Sequence, residues 1–175
     1  MPFDLQPVLR GELVELRPLH ADDFDALYVV ASDPLIWEQH PESTRWREEV
    51  FRRFFDNGLA SGGALVAMDA HDGRIIGSSR FLAYVPERSE IEIGFTFLAR
   101  ECWGGRYNGE MKRLMLQHAF RFVDRVVFVV GAENHRSRRA VEKIGGVLVA
   151  PRLNPNGHDR VVYEITAESF GAARR

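Results

Sequence analysis

The chain predicts a single mixed α/β (α+β) domain on a central sheet of about seven strands, and three observations carry that prediction. Short segments of alternating or continuous apolar residues are interleaved with segments whose apolar residues recur at helical spacing. The length of 175 residues suits one core. No repeat, low-complexity tract or Pro/Gly/Ser-rich linker divides the chain.

The elements read as follows. Glu12 to Arg17 alternates apolar and polar residues and stops at Pro18, as a strand does. Ala21-Asp22-Asp23 starts a helix, which Phe24, Leu27, Tyr28 and Ala31 continue at helical spacing. Ser43 or Thr44 is the expected cap of a second helix, whose apolar face holds Trp46, Val50, Phe51, Phe54 and Phe55. Ala64 to Ala70 and Arg74 to Val85 pair as a hairpin around His71-Asp72-Gly73. Glu90 to Ala99 is a further strand and leads into a Gly-containing loop. In the helix that follows, Met111, Leu114, Met115, His118, Ala119 and Phe122 fall on one face. Val126 to Val130 is a short apolar run suited to a strand buried on both faces. A helix starts after Asn134 and ends at Gly145-Gly146. Strands at about Val147 to Arg152 and Arg160 to Thr166 close the domain, with a turn at Asn154-Pro155-Asn156-Gly157 between them.

Composition narrows the function classes. A net charge of −2, from 23 basic and 25 acidic residues, argues against a general nucleic-acid binder. The single cysteine, Cys102, allows no intrachain disulfide and fits a reducing compartment. Met1 to Arg10 lacks an apolar signal core, and the strongest apolar run is too short to span a bilayer. A cytoplasmic protein without membrane partners is expected. The six histidines are scattered and make no metal-ligand spacing, so no metal is expected.

The chemical signal lies in Trp103-Gly104-Gly105-Arg106-Tyr107-Asn108-Gly109-Glu110, which joins a strand to the amphipathic helix. Glycines let a backbone approach a ligand, and a helix start offers unpaired N–H groups and a positive dipole end to a phosphate. Arg106 adds a cationic fork. The pattern is neither a P-loop nor a Rossmann fingerprint, and a purely structural turn remains its simplest reading in isolation.

Two blocks, taken together, resemble one family. Glu92-Ile93-Gly94-Phe95…Trp103-Gly104…Tyr107…Glu110…His118-Ala119-Phe120 is similar to the GNAT acetyltransferase superfamily. Within it, the resemblance is to the branch of ribosomal-protein N-terminal acetyltransferases. Glu133-Asn134-His135-Arg136-Ser137-Arg138-Arg139-Ala140-Val141-Glu142-Lys143-Ile144-Gly145 resembles that branch's Asn-x-x-Ser-x-Arg-x-x-Glu-Lys-x-Gly signature. The resemblance covers about Leu9 to Phe170.

It implies a splayed sheet in which the strand at Glu90 to Ala99 parts from the one at Val126 to Val130. It also implies acetyl-CoA as co-substrate, with its pantetheine arm in the gap beside backbone groups of Phe95, Phe97 and Leu98. The turn from Gly104 through Gly105, Arg106, Tyr107, Asn108 and Gly109 to Glu110 then cradles the pyrophosphate. Asn134 would contact the pantetheine amides or cap its helix. Arg138 and Arg139 would face the nucleotide or bulk water, with the two readings of equal weight. This chain departs from the family loop at Arg106 and Asn108, where glycine or alanine is usual, and at Gly146, where many members carry an aromatic residue.

The activity implied is transfer of an acetyl group from acetyl-CoA to a primary amine, either a protein N-terminus or a small molecule, by direct attack. Such aminolysis needs a neutral amine, a proton for the departing thiolate and donors for the oxyanion. Ser137 is the candidate acid, or a first-turn serine that only caps. Glu92 is the candidate base, or a solvent-facing strand glutamate; Glu110 is a weaker alternative. Trp37, Tyr28 and His158 are candidates for the acceptor side, with core packing the competing role for the two aromatics. His118 is read as a core histidine. A non-catalytic acyl-CoA-binding module of the same fold is the competing function, and a homodimer is left open.

Overall fold

One mixed sheet of eight strands organises the computed structural model, which describes residues 2–153 and 159–173, the side chains of 151–153 excepted. The strands are β1 (Leu9–Arg10), β2 (Val14–Pro18), β3 (Ala64–Asp69), β4 (Ile75–Val85), β5 (Glu90–Leu98), β6 (Arg125–Gly131), β7 (Val147–Leu153) and β8 (Asp159–Thr166). They lie in the order β1-β2-β3-β4-β5-β6-β8-β7, and among the described residues only β5 and β6 pair in parallel. The helices are α1 (Phe24–Ala31), α2 (Glu48–Ser61), α3 (Tyr107–Ala119), α4 (His135–Lys143) and α5 (Ala167–Ala172).

The strand absent from the sequence reading is β1. Its two residues pair with Leu16 and Glu15 of β2, a length too short to show a period. The short α5 is likewise new; Thr166 caps it by accepting the Ser169 amide. Helix α2 starts later than Ser43 or Thr44 because Thr44 spends its hydroxyl on the Glu42 carboxylate. Glu48 and Glu49 occupy its first turn instead, where the helix dipole favours them. The expected turn at Asn154 to Gly157 lies outside the described residues.

The sheet divides two apolar layers. On one face α3 packs Met111, Leu114, Met115 and Ala119 against Leu65, Ile76, Ile91, Ile93, Val126 and Phe128. His118 is buried there among Phe3, Phe81 and Phe122, with Nε2 2.7 Å from the Asp4 carbonyl oxygen, so it is a bonded core histidine. On the other face α1 and α2 bury Phe24, Leu27, Phe51 and Phe55 against Val66 and Phe97. Strand β6 is fully buried at Val126 and Phe128 and half-buried at Val127 and Val129, so one of its faces is less covered than expected.

Candidate functional site

The central feature is the parting of β5 from β6. They pair only at Glu90–Arg125, Ile91–Val126 and Glu92–Val127. Beyond that point β5 stays with β4 and β6 stays with β8, up to Leu98 and Gly131 respectively. At roughly 3.3 Å per residue, the five residues Gly94 to Leu98 give a wedge about 16 Å long with a free backbone edge. A bulge marks its start. The β4–β5 register shifts between Ser78 and Arg80, and Phe95 takes a φ of 52°, a left-handed conformation costly for a bulky residue. Phe97 and Leu98 line the same stretch through their backbones. The Phe97 ring packs against Trp37, and the Leu98 carbonyl accepts the Trp103 indole N–H at 2.9 Å.

The turn after β5 delivers the start of α3 to the mouth of this wedge. Gly104 has a φ of 68°, which a side chain would strain. A Cβ added at Gly104, Gly105 or Gly109 would meet no atom within 4 Å. The protein's own packing therefore does not require these glycines to be small, and space stays open above the helix start. Arg106 is exposed at the N-cap, and Tyr107 donates its hydroxyl hydrogen to Asp69 at 2.9 Å, fixing the first turn to β3. Asn108 is half-buried on the same turn.

Glu110 corrects the sequence reading. Its carboxylate accepts the amides of Glu12, Leu13 and Val14 at 3.1, 2.6 and 2.8 Å, and its own amide donates to the Arg106 carbonyl. It thus ties α3 to the chain segment that leads into β2, with neither group left for a phosphate or a catalytic proton.

Helix α4 starts at the far side of the wedge. Asn134 is buried and its side-chain oxygen accepts the Ser137 amide at 3.2 Å, which leaves its NH₂ group to serve a ligand. The Ser137 hydroxyl bonds to no described residue. Arg138 is engaged within the protein: its Nε donates to the Tyr163 hydroxyl at 3.1 Å and its Nη1 to the Ala132 carbonyl at 2.9 Å. Tyr163 in turn donates to Glu142 at 2.7 Å. Arg139 is exposed. Arg136, which sequence reasoning did not single out, lies 4.0 Å over the Trp103 ring and donates to the Ile36 carbonyl. It joins the two sides of the wedge mouth.

Strand alternation puts Glu92 on the same sheet face as Arg80 and Gly94, the face covered by α1 and α2. A cavity of about 220 Å³ opens on this face, lined by Glu42, Arg45, Val50, Arg53, Phe54, Asn57, Arg80 and Phe95. Neither aromatic candidate lines it. Trp37 is 2% exposed and donates its indole N–H to Ala31, so it is core. Tyr28 donates its hydroxyl to the Trp46 carbonyl and stacks on Phe24. His158 lies outside the described residues.

On the opposite face Lys112 sits beneath the bulge. It is 4% exposed, its Nζ lies 3.1 Å from the Ser79 hydroxyl and contacts that of Thr96, and burial pushes its pKa down to about 7. Burial likewise raises the Cys102 thiol pKa, which suits a packed residue rather than a nucleophile.

With this geometry in view, the family model described as "Acetyltransferase (GNAT) domain" matches residues 14–147. The chain belongs to the GNAT acetyltransferase family. Its fold is shared with a GCN5-related N-acetyltransferase from Brucella melitensis, at 20% identity over 98% of this chain and 83% of that one, with a TM-score of 0.86. A GNAT-family acetyltransferase from Bacillus anthracis superposes at 22% identity, covering 93% of this chain and 99% of that chain, TM-score 0.77. Spermidine N-acetyltransferase from Vibrio cholerae, solved with CoA and spermine, matches at 15% identity over 91% and 99% of the two chains, TM-score 0.71. No curated protein sequence matches this chain.

This chain presents an open backbone edge on β5 and an unobstructed start of α3. No group of three or more potential metal ligands occurs among the described residues, and no described helix is long and apolar enough to cross a membrane.

Proposed function

We propose that this chain transfers the acetyl group of acetyl-CoA to a primary amine within a ternary complex. The observation that carries the reading is the parting of β5 from β6 after the Glu92–Val127 pair, with the open start of α3 following β5 in the chain. An extended, amide-bearing arm fits the free edge from Gly94 to Leu98 as an added strand fits a sheet edge. A diphosphate fits the amides from Gly104 to Gly109 and the Arg106 guanidinium. Acetyl-CoA, when bound, supplies the activated carbonyl.

The residues then divide the proton work. Glu92, at the last paired position before the wedge, takes a proton from the incoming ammonium, directly or through water, and frees its lone pair. Backbone amides at the bulge donate to the carbonyl oxygen as charge develops there in this reading. The freed nitrogen bonds to the acetyl carbon, the C–S bond breaks and the Ser137 hydroxyl hands its hydrogen to the departing sulfur; the second proton lost by the nitrogen returns to Ser137, and Glu92 passes the first to solvent. The Ser137 hydroxyl suits this because no described residue engages it, whereas the capping role belongs to Asn134. Asn134 supports the arm through its NH₂ group, and Arg139 lies free to meet a phosphate.

The Asn134 to Gly145 signature supports a protein N-terminus as one class of acceptor, as in the ribosomal-protein branch. The test is amine-dependent release of the coenzyme thiol from acetyl-CoA across small amines and N-terminal peptides. Ser137→Ala is expected to lower kcat by about 100-fold with acetyl-CoA affinity unchanged. Tight coenzyme binding with no thiol release on any amine would instead make the chain an acyl-CoA-binding module.

A further inference from the structure

Two arginines are buried together in the α2-side cavity, and among its described lining residues they have one carboxylate, Glu42, between them. Arg45 is 9% exposed and Arg80 7%, and each has an Nε atom, sealed from solvent, that finds no acceptor. Burying an ionised group without an opposite charge is costly, so a chain that places two together has a use for them. Burial is the cause that lowers the Arg80 pKa, and it comes first among those that lower Arg45 to about 10. The Glu42 carboxylate partly offsets this for Arg45, while its neighbours Arg80 and Arg160 oppose its charge further. Both nonetheless stay charged at neutral pH.

Their present neighbours compensate poorly. The guanidinium carbon of Arg45 lies 4.4 Å from the centre of the Phe54 ring and 5.1 Å from that of Trp37. That of Arg80 lies 4.4 Å from Phe95 and 5.5 Å from the same Phe54. These ring faces attract cations, at about 2 kcal/mol each when dry, but they do not satisfy N–H groups. His40 Nε2, 3.4 Å from Arg45, does not help. His40 Nδ1 accepts the Glu42 amide, so the neutral ring carries its hydrogen on Nε2 and has no lone pair to offer there. Burial and Arg45 push the His40 pKa down to about 3, which keeps the ring neutral. Glu42 is the one carboxylate among the described lining residues, and it already accepts the Thr44 hydroxyl. Arg53, also in the lining, adds a third positive charge from the exposed rim.

The cavity shares a wall with the reaction site. Phe95 is at once the bulge residue where the strands part and part of the lining, and Arg80 pairs with Gly94 across the ladder. We propose that the Arg45–Arg80 cavity receives an anionic group carried by the acceptor, so that the amine substrate is a carboxylate-bearing one. An amino acid or an acidic peptide end meets that description. Two planar guanidinium groups match a carboxylate, and about 220 Å³ admits a short acidic side chain. A polycation such as spermine would meet three arginines and be rejected. This inference rests on the acetyl-transfer reading but names its acceptor.

The test uses full-length protein and amines paired to differ in one group: amino acids against their carboxamides, Glu against Gln at the second position of short peptides, and phosphoethanolamine against ethanolamine. Each carboxylate member is expected to show a kcat/KM about 30-fold above its neutral partner. Arg80→Met is expected to bring that ratio within threefold, with the acetyl-CoA KM unchanged, and Arg80→Lys to keep part of it. Because Arg45→Met also removes the packing on Trp37 and Phe54, calorimetric titration with an N-acetylated acidic peptide gives a second readout on Arg80: wild type binds, and folded Arg80→Met does not. Preference for neutral or polycationic amines, or a ratio that survives Arg80→Met, would overturn the inference while leaving acetyl transfer intact. Preference for the phosphate partner alone would overturn the carboxylate assignment. Peptide binding that Arg80→Met abolishes, with no thiol release on any amine, would support the anion site and defeat the transfer reading.

Discussion

Replacing Lys112 by methionine is expected to stabilise the protein at neutral pH, and the size of the gain follows from its surroundings. Lys112 is an ammonium on α3 with two hydroxyl partners, Ser79 and Thr96, and the Phe128 ring 5.7 Å away. Burial alone takes its pKa from 10.5 to about 7. At about 1.36 kcal/mol per unit, that drop costs the fold about 5 kcal/mol below pH 7 and nothing above pH 10.5. The sign follows from proton binding. Between pH 7 and 10.5 the unfolded chain holds the proton more firmly, so stability rises as pH climbs through this window. Methionine keeps the apolar stem, and Ser79 and Thr96, 2.8 Å apart, still bond to each other. After allowing about 1 kcal/mol for each of the two hydrogen bonds lost, the net gain below pH 7 is about 3 kcal/mol, or a Tm rise of roughly 9 °C. Urea unfolding at pH 6, 7.5 and 9 measures it. Wild type is expected to gain stability across the series, and the variant to change much less. Equal slopes, or a variant weaker at every pH, would refute the reasoning. Since Thr96 belongs to the bulge, the variant is also expected to bind coenzyme A about fivefold more weakly.

The other predictions concern the loop and the two helix starts. Glu110→Gln is expected to lose about 3 kcal/mol of stability in urea, because three amides lose a charged acceptor. Arg106→Ala, at an exposed site, is expected to leave stability within about 0.5 kcal/mol and to weaken coenzyme binding about tenfold in titration calorimetry. Arg138→Ala is expected to do the reverse, lowering the urea midpoint with coenzyme affinity unchanged, since its guanidinium serves Tyr163 and the Ala132 carbonyl.

The elements carried by long periodic patterns were legible in the sequence. The apolar stripe that starts at Met111 and the strand pair around His71-Asp72-Gly73 are where the periods placed them, except that the helix ends at Ala119, before Phe122. The wedge itself came from resemblance, since no periodicity says that Glu92 is the last residue of β5 to pair with β6. What the sequence hid are contacts across long separations. Glu110 has the spacing of a first-turn carboxylate, yet its partners lie 96 to 98 residues earlier. Arg138 reads as part of a solvated basic cluster until Tyr163 and Ala132 meet it. Lys112 falls among apolar positions of a helix, where a lysine is expected to reach for water, and only the closeness of β4 and β5 shuts it in. The pairing of Arg45 with Arg80 depends on α2-side packing that no local pattern encodes.

A crystal structure with coenzyme A bound tests the donor site directly. Density for the pantetheine arm is expected between the backbones of Gly94 to Leu98 and Phe128 to Gly131, with the diphosphate on the amides of Gly104 to Gly109. A coenzyme seated elsewhere, with that gap filled by the protein's own side chains, would contradict the account.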